Sequence, residues 1–368
     1  MKKALFVATV VKTHILQFHI PYLRMLKERG WETAVAAKND FDDPRDCTIP
    51  FCDAYYDVAF ARNPFHPRNL RAYRRLRRLI DEGAYDLIHC HTPVGAAIAR
   101  LAARGARKKG TKVVYTAHGF HFYKGAPLLN WLLYYPAEKW LSRFTDVLIT
   151  INREDYERVK GFHAKECVYI PGVGIDCSRF SPSPEIRAQK RTELGIPRDA
   201  TVLLSVGEVN KNKNHAVILE ALPDLPDCWF VLCGRGPLLE RHRQRARELG
   251  IEDRVLFAGY RTDVADFYKM ADVFVFPSLR EGLPVSVMEA MAAGLPVLCT
   301  RIRGSADLVT EGENGFFFDA DSPGALVRII RSLPSCTQDF GKANAEKAQG
   351  FSFASVAPLY QQAYGMKS

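Results

Sequence analysis

The sequence has no run of about 20 continuous apolar residues, the length a helix needs to cross a bilayer. Its richest window, 127–141, is broken by Asn130, Pro136, Glu138 and Lys139; if it meets a membrane, it is expected to lie on the surface. The opening lysine pair precedes an apolar run of only 4–11, and no small-residue cleavage site follows, so a first core strand is expected rather than a secretory leader. Cysteine is scattered: nine residues, none spaced as Cys-x-x-Cys. That pattern excludes a disulfide scaffold and leaves reduced thiols in a cytoplasmic protein as the expectation. A Gly-x-Gly-x-x-Gly turn is missing too, since the first strand runs into ATVVKTH, and Gly172-Val173-Gly174 and Gly234-Arg235-Gly236 lack the third glycine. With no Walker motif either, nicotinamide and P-loop nucleotide chemistry are excluded. Nor is there a low-complexity tract, a repeat, a zinc-finger spacing, an aromatic RNA-binding strand or a basic helix joined to heptads, which argues against nucleic acid as a partner.

What remains is a chain of 368 residues, enough for two domains with cores of their own. Short Val/Ile/Leu-rich runs alternate with amphipathic stretches, which predicts parallel strands joined by helices. The expected strands are 5–11, 33–37, 86–91, 112–118, 146–151 and 167–170, then 202–207, 229–234, 255–258, 273–277, 296–300 and 315–318. The stretch PGVGIDCSRFSPSPE is rich in Gly, Pro and Ser and marks a linker at about 172–185. An N-terminal α/β domain, 1–175, and a C-terminal α/β domain, 185–350, follow, each doubly wound and Rossmann-like. In such sheets ligands bind beyond the carboxyl ends of the strands.

The formal charge of +10 is concentrated in one segment: residues 62–112 hold thirteen Lys/Arg against Asp81, Glu82 and Asp86. NLRAYRRLRRLI reads as a helix with Leu70, Tyr73, Leu76, Leu79 and Ile80 toward the core and Arg71, Arg74, Arg75 and Arg78 as a basic stripe. Arg100, Arg104, Arg107, Lys108, Lys109 and Lys112 form a second cluster near the next helix end, where cations favour the dipole. Such one-sided charge suits anionic lipid headgroups or a phosphate-bearing acceptor.

The most informative stretch is VFVFPSLREGLPVSVMEAMAAGLPVLCT. A strand ends at Pro277-Ser278, a loop carries Arg280-Glu281-Gly282, and a helix opens at about Pro284, where proline's missing N–H costs nothing. Glu281 precedes that helix and Glu289 lies about one and a half turns inside it. The helix N-terminus offers donors to a diphosphate, and carboxylates accept hydrogen bonds from paired hydroxyls such as those of a ribose or a hexose. His89 and His91 are expected on opposite faces of their strand, and so not to share a metal ion. Asp319-Ala320-Asp321 matches a metal-binding Asp-x-Asp by letter only, because it opens a helix at Ser322-Pro323, where acidic residues act as caps.

Glu281-x₇-Glu289, with Ser278 and Gly282, resembles the signature of the retaining family-4 glycosyltransferases. The likeness extends through HTP at 91–93, TAHGFHFYKGAP at 116–127, NKNKNH at 210–215, CGRGP at 233–237 and FSFASVAPLYQQAY at the chain end. Its N-terminal motifs are most similar to the EpsD-like exopolysaccharide and capsule branch. The resemblance implies the GT-B fold, two facing doubly wound domains, with the last helix, 351–366, packing back on the N-terminal domain. It also implies a UDP-sugar donor, an N-acetylhexosamine by expectation, and a polyprenyl-diphosphate-linked acceptor met as a peripheral protein on the inner face of the cell membrane. By resemblance Glu281 contacts donor-sugar hydroxyls, Glu289 the ribose, Lys213 the diphosphate, and Gly282 and Leu283 the same phosphates through their backbones. The Gly259-Tyr260-Arg261 turn faces the nucleobase, His118 the reaction centre, and His91 the acceptor.

Two departures from the family pattern stand out. Glu208 replaces an arginine beside the diphosphate, and Thr13 and His14 occupy a loop that is glycine-rich in many members. No metal or other cofactor is expected, since fixed cations and a helix dipole can stabilise the leaving diphosphate. A UDP-N-acetylhexosamine epimerase of the same fold, or a non-catalytic sugar-nucleotide-binding component of a polysaccharide assembly, are the competing readings. Neither explains the basic segment together with both glutamates and Lys213.

Overall fold

The computed structural model describes residues 1–333 and 337–366. Cys336 lies outside them, and the other eight cysteines are free thiols. The chain divides into two compact units, Met1–Val173 with the chain end from Val356, and Gly174–Ser355.

The first unit is built on seven parallel strands: β1 (Lys3–Val10), β2 (Glu32–Lys38), β3 (Ala54–Asp57), β4 (Leu87–His91), β5 (Lys112–Ala117), β6 (Val147–Thr150) and β7 (Glu166–Tyr169). Their order is β3-β2-β1-β4-β5-β6-β7. Winding reverses between β1 and β4, which opens a crevice at their carboxyl ends. β1 is buried on both faces from Ala4 to Thr9, as a strand covered by helices on each side must be. β3 was not anticipated: its four residues AYYD sit at the sheet edge and carry no fully buried side chain, so they give no apolar run to read.

Four helices matter in this unit: α1 (Ile20–Glu28), α2 (Arg68–Gly83), α3 (Pro93–Ala102) and α4 (Leu128–Leu141). α2 buries Asn69, Ala72, Leu76 and Ile80, spacings of three and four that make one helical face. Leu70 falls outside that face and is exposed, which corrects its expected core position. α4 is also two-faced. Trp131, Tyr134 and Tyr135 pack on the core, whereas Leu128, Leu129, Leu132, Leu133 and Trp140 are exposed, the first at 73% and Leu132 at 64%. The chain's last helix, Phe353–Tyr364, contributes buried Tyr360 and Tyr364; the Tyr360 hydroxyl donates to the Gly172 carbonyl at 3.3 Å.

The second unit has six parallel strands: β8 (Thr201–Val206), β9 (Cys228–Cys233), β10 (Val255–Gly259), β11 (Val273–Phe276), β12 (Val297–Thr300) and β13 (Gly315–Phe318). Their order is β10-β9-β8-β11-β12-β13, which puts the reversal between β8 and β11. Helices α5 (Val264–Met270), α6 (Val285–Ala292) and α7 (Arg303–Leu308) follow β10, β11 and β12. Backbone crowding there requires glycine: a Cβ on Gly234, whose φ is +157°, would lie 1.8 Å from the Gly207 carbonyl oxygen, and one on Gly236 2.3 Å from that of Val209.

Candidate active site

In the second unit the loop after β8 and the loop after β11 are tied together by their backbones. The Leu279 N–H donates to the Asn212 carbonyl at 2.8 Å, and the Asn212 amide donates to the Arg280 carbonyl at 2.9 Å. This clamp presents Lys213 to Glu281, Nζ to Oε1 at 2.7 Å, with the lysine ammonium 4.7 Å from the Phe276 ring centre. Arg303 of α7 donates to the Glu281 carbonyl at 2.8 Å. Gly304 has no room for a side chain, since a Cβ would lie 2.6 Å from the Gly282 oxygen. The loop bearing Gly282 and Leu283 therefore rests on helix backbone, a rigid support for a site that must hold charge in place.

Glu289 lies in α6, whose first residue follows Pro284. Its Oε2 accepts the Tyr268 hydroxyl at 2.9 Å. Burial pushes its carboxyl up to about 7, against the opposing pull of the Tyr268 bond and the Arg179 charge. A carboxylate held near neutrality and given one hydroxyl donor is disposed to accept more donors when a polyol arrives.

The other residues expected on the donor side are less closely gathered. Gly259 ends β10 with φ +69°, the left-handed region that favours glycine. Tyr260 beyond it is 65% exposed, and the Arg261 guanidinium is held by Asp263 through bonds of 2.7 and 2.8 Å. Glu208 is exposed and makes no ion pair among the described residues, so Lys213 is engaged by Glu281 and not by Glu208. The helix after 319–321, Pro323–Ser332, is capped by the Ser322 side chain, which accepts from the Ala325 N–H; the expected acidic caps are replaced by this serine, whose hydroxyl reaches the third helical amide.

In the first unit five histidine rings gather at the carboxyl ends of β1, β4 and β5. His14 stands in a single π-helical turn, Val11–Ile15, of a kind that recurs at functional sites. His118 follows the end of β5, with Nε2 3.3 Å from Nδ1 of His91. His89 and His91 do not point to opposite faces. Two residues apart in a strand, they share one face, and their rings lie 4.0 Å apart. His89 is fully satisfied, with Nδ1 2.8 Å from the Tyr364 hydroxyl and Nε2 2.8 Å from Thr116 Oγ1. Burial holds His14, His19, His89 and His91 well below the usual imidazole range and takes His118 down to about 4, so all five are neutral at pH 7. Thr13 is exposed and donates to Asp40 at 3.1 Å.

The basic stripe of Arg71, Arg74, Arg75 and Arg78 is exposed along α2. Arg100 does not belong with the second basic cluster at the surface. It is completely buried, paired with Glu138 at 2.8 Å and 4.1 Å from the Tyr115 ring centre, because α3 turns that position inward. Arg77, Arg104, Arg107, Lys108, Arg143 and Lys165 instead line an open basin of about 580 Å³.

Sequence reasoning passed over His19, Tyr268, Asn212 and Arg303. Only His19 left a usable signal, as the second histidine of THILQFH; the others are positioned by loops and neighbours that a linear pattern does not display.

Comparison with known proteins places this arrangement in a family. The model of the group 1 glycosyl transferases matches residues 186–348, and that of glycosyltransferase family 4 matches 22–179. EpsD of Bacillus subtilis (strain 168), assigned to the glycosyltransferases, is 42% identical over 96% of this chain and 93% of its own length. The Escherichia coli UDP-Gal:alpha-D-GlcNAc-diphosphoundecaprenol alpha-1,3-galactosyltransferase is 31% identical over 75% of this chain and 74% of its own. Among solved structures, Anabaena HepE in complex with UDP and glucose superposes with a TM-score of 0.81 at 20% identity, covering 99% of this chain and all of that one. The chain belongs to the family-4 glycosyltransferases and is an enzyme of that class with the GT-B fold, related to the EpsD protein.

Proposed function

We propose that the enzyme transfers a sugar, an N-acetylhexosamine, from a UDP-sugar to a polyprenyl-diphosphate-linked saccharide in exopolysaccharide or capsule assembly, with retention at the anomeric carbon. The observation that carries this reading is the Lys213–Glu281 pair at the crevice of the second unit, beside α6 with its nearly neutral Glu289. On donor binding, Lys213 exchanges the Glu281 carboxylate for the anionic diphosphate and Glu281 exchanges the lysine for sugar hydroxyls that donate to it, so neither is left unpaired. The bond from the anomeric carbon to the UDP oxygen breaks and the acceptor oxygen bonds the same carbon on the same face. Its proton passes to the departing phosphate. Lys213 and the loop amides of Gly282 and Leu283 receive the charge that develops there. His118, neutral at pH 7, serves as a hydrogen-bonding partner near the reacting sugar rather than as a cationic acid.

The acceptor class rests on relatedness to the Escherichia coli enzyme that acts on a diphosphoundecaprenol-linked sugar. Support for a membrane-bound acceptor comes from the exposed leucines of α4 and the exposed arginines of α2. Among the described residues no helix is long and apolar enough to cross a membrane, and exposed apolar and basic helix faces suit interfacial docking. The donor diphosphate is stabilised by lysine and amides, so turnover is expected to be independent of added Mg²⁺ or Mn²⁺; activity lost in EDTA and restored by either ion would contradict this. Product analysis with and without acceptor separates transfer from epimerisation: sugar conversion must require the acceptor, one to one.

A further inference from the structure

The histidine cluster of the first unit holds more ring nitrogens than the protein satisfies. His14, His19, His91 and His118 each offer a ring nitrogen within 4.8 Å of those of the other three. We propose that these four histidines form a binding site for a first-row transition-metal cation, with Zn²⁺ the best-matched ion.

Unmet hydrogen-bonding capacity is the first support. Nε2 of His14, both ring nitrogens of His19 and Nε2 of His91 are buried without a hydrogen-bond partner, and His19 and His91 are each only 1% exposed. An unsatisfied buried polar atom costs on the order of 1–3 kcal/mol, and several gathered at one point call for a common partner. His89 provides an internal contrast. It lies on the same strand face and packs against the same rings, yet both its nitrogens are bonded at 2.8 Å. Ordinary packing in this region therefore satisfies imidazole fully, and His14, His19 and His91 depart from it.

The second support is the kind of donor. The set is all imidazole, with no carboxylate among its members, and imidazole suits Zn²⁺, Cu²⁺, Fe²⁺ or Ni²⁺ where oxygen ligands suit Mg²⁺, Mn²⁺ or Ca²⁺. Position is the third, because the segment after β1, the last residue of β4 and the residue after β5 meet where the sheet order reverses, the place where open α/β sheets take ligands. A tetrahedral ion with bonds of about 2.0 Å brings its nitrogens to about 3.3 Å from one another. The cluster must tighten on binding, and the stacked pair His19 and His91, 3.7 Å apart at 26°, must splay. His118 is the ligand at the mouth and, like His14, is partly exposed. This inference does not rest on the transfer reaction, and the site differs in donor chemistry from anything that would hold a diphosphate-bound Mg²⁺.

The test uses untagged full-length protein, stripped with a chelator and titrated with Co²⁺ and Zn²⁺ while visible absorbance and melting temperature are followed. One Co²⁺ per chain is expected, with the intense absorption bands of tetrahedral cobalt, displacement by Zn²⁺, and a rise in melting temperature through mass action. The double variant His14→Asn, His118→Asn, which leaves the two buried rings in place, is expected to weaken binding at least 100-fold, whereas His66→Ala, outside the cluster, binds as the wild type does. Absence of stoichiometric Co²⁺ binding in the wild type, or equal binding in the double variant with an unchanged circular dichroism spectrum, would overturn the proposal. So would Mg²⁺ raising the melting temperature as much as Zn²⁺.

Discussion

The two crevices of this molecule handle polar groups in opposite ways. In the second unit the principal charges at the site are matched before any ligand arrives: Lys213 holds Glu281, Arg261 holds Asp263, and burial lowers the charge that Glu289 carries. In the first unit the site is built from neutral rings, and several of their nitrogens have no partner. Pre-paired charges suit a highly charged ligand such as a nucleoside diphosphate sugar, because partners are exchanged rather than exposed. Unpartnered neutral nitrogens suit a ligand that brings its own charge.

The comparison is broken hardest by leaving a buried charge alone. Glu138→Ala strands the fully buried Arg100 and is expected to cost about 3–5 kcal/mol of stability, read by urea denaturation. The joint change Arg100→Met, Glu138→Leu restores most of the loss. Next in size, Lys213→Ala and Glu281→Ala should each lower kcat/KM by about 10²–10³-fold, the usual cost of removing a donor to a developing oxyanion, with the fold intact. Wild-type rates in Lys213→Ala would remove it from the mechanism.

Glu289→Gln sharpens the comparison through pH. A folded-state carboxyl raised to about 7, above the usual value near 4.3, favours the protonated native state. Its contribution to stability is full below about pH 4.3 and is lost as pH rises to about 7. UDP binding should follow the opposite course, because ribose hydroxyls donate best to the charged form: affinity rises from pH 6 to pH 8 in calorimetry. In Glu289→Gln both dependences flatten and UDP binds about tenfold more weakly, a loss typical of a hydrogen bond to a charged group. A pH dependence unchanged in the variant would assign the titration to another group.

The smallest expected effect concerns the surface. Leu128→Ser, Leu132→Ser on α4 should release the protein from anionic vesicles at any ionic strength. The change of Arg71, Arg74, Arg75 and Arg78 to Gln should matter only at low salt, since each such cation contributes about 1 kcal/mol and is screened. Equal flotation of all three proteins would break the link between these faces and the membrane.

Among the described residues, twelve of the thirteen strands were legible because a buried parallel strand is nearly all apolar and its neighbours are turn-rich; β3, a half-exposed edge strand of four residues, sent no such signal. The loop between β11 and α6 was legible from the same local logic, strand end, glycine loop, helix start. Its tightest contact was not, because Lys213 and Glu281 are 68 residues apart and meet only through the crossing of two loops. The histidines were misread for a different reason. Period-two geometry was applied with the wrong parity to His89 and His91, and His19, without a motif around it, was passed over although the turn after β1 brings it onto their rings. Arg100 illustrates a general limit: a basic residue inside a basic run looks like surface until the helix phase and its partner Glu138 are known.

The proposed reaction is glycosyl transfer from a UDP-sugar to a lipid-linked saccharide. Its most direct test mixes the purified protein with a panel of UDP- and GDP-sugars and a membrane lipid extract containing polyprenyl-diphosphate saccharides, and measures UDP release together with lipid mass. The predicted result is release of UDP matched by a lipid that gains one N-acetylhexosamine. UDP release without any gain in lipid mass, or transfer from a GDP-sugar alone, would contradict it.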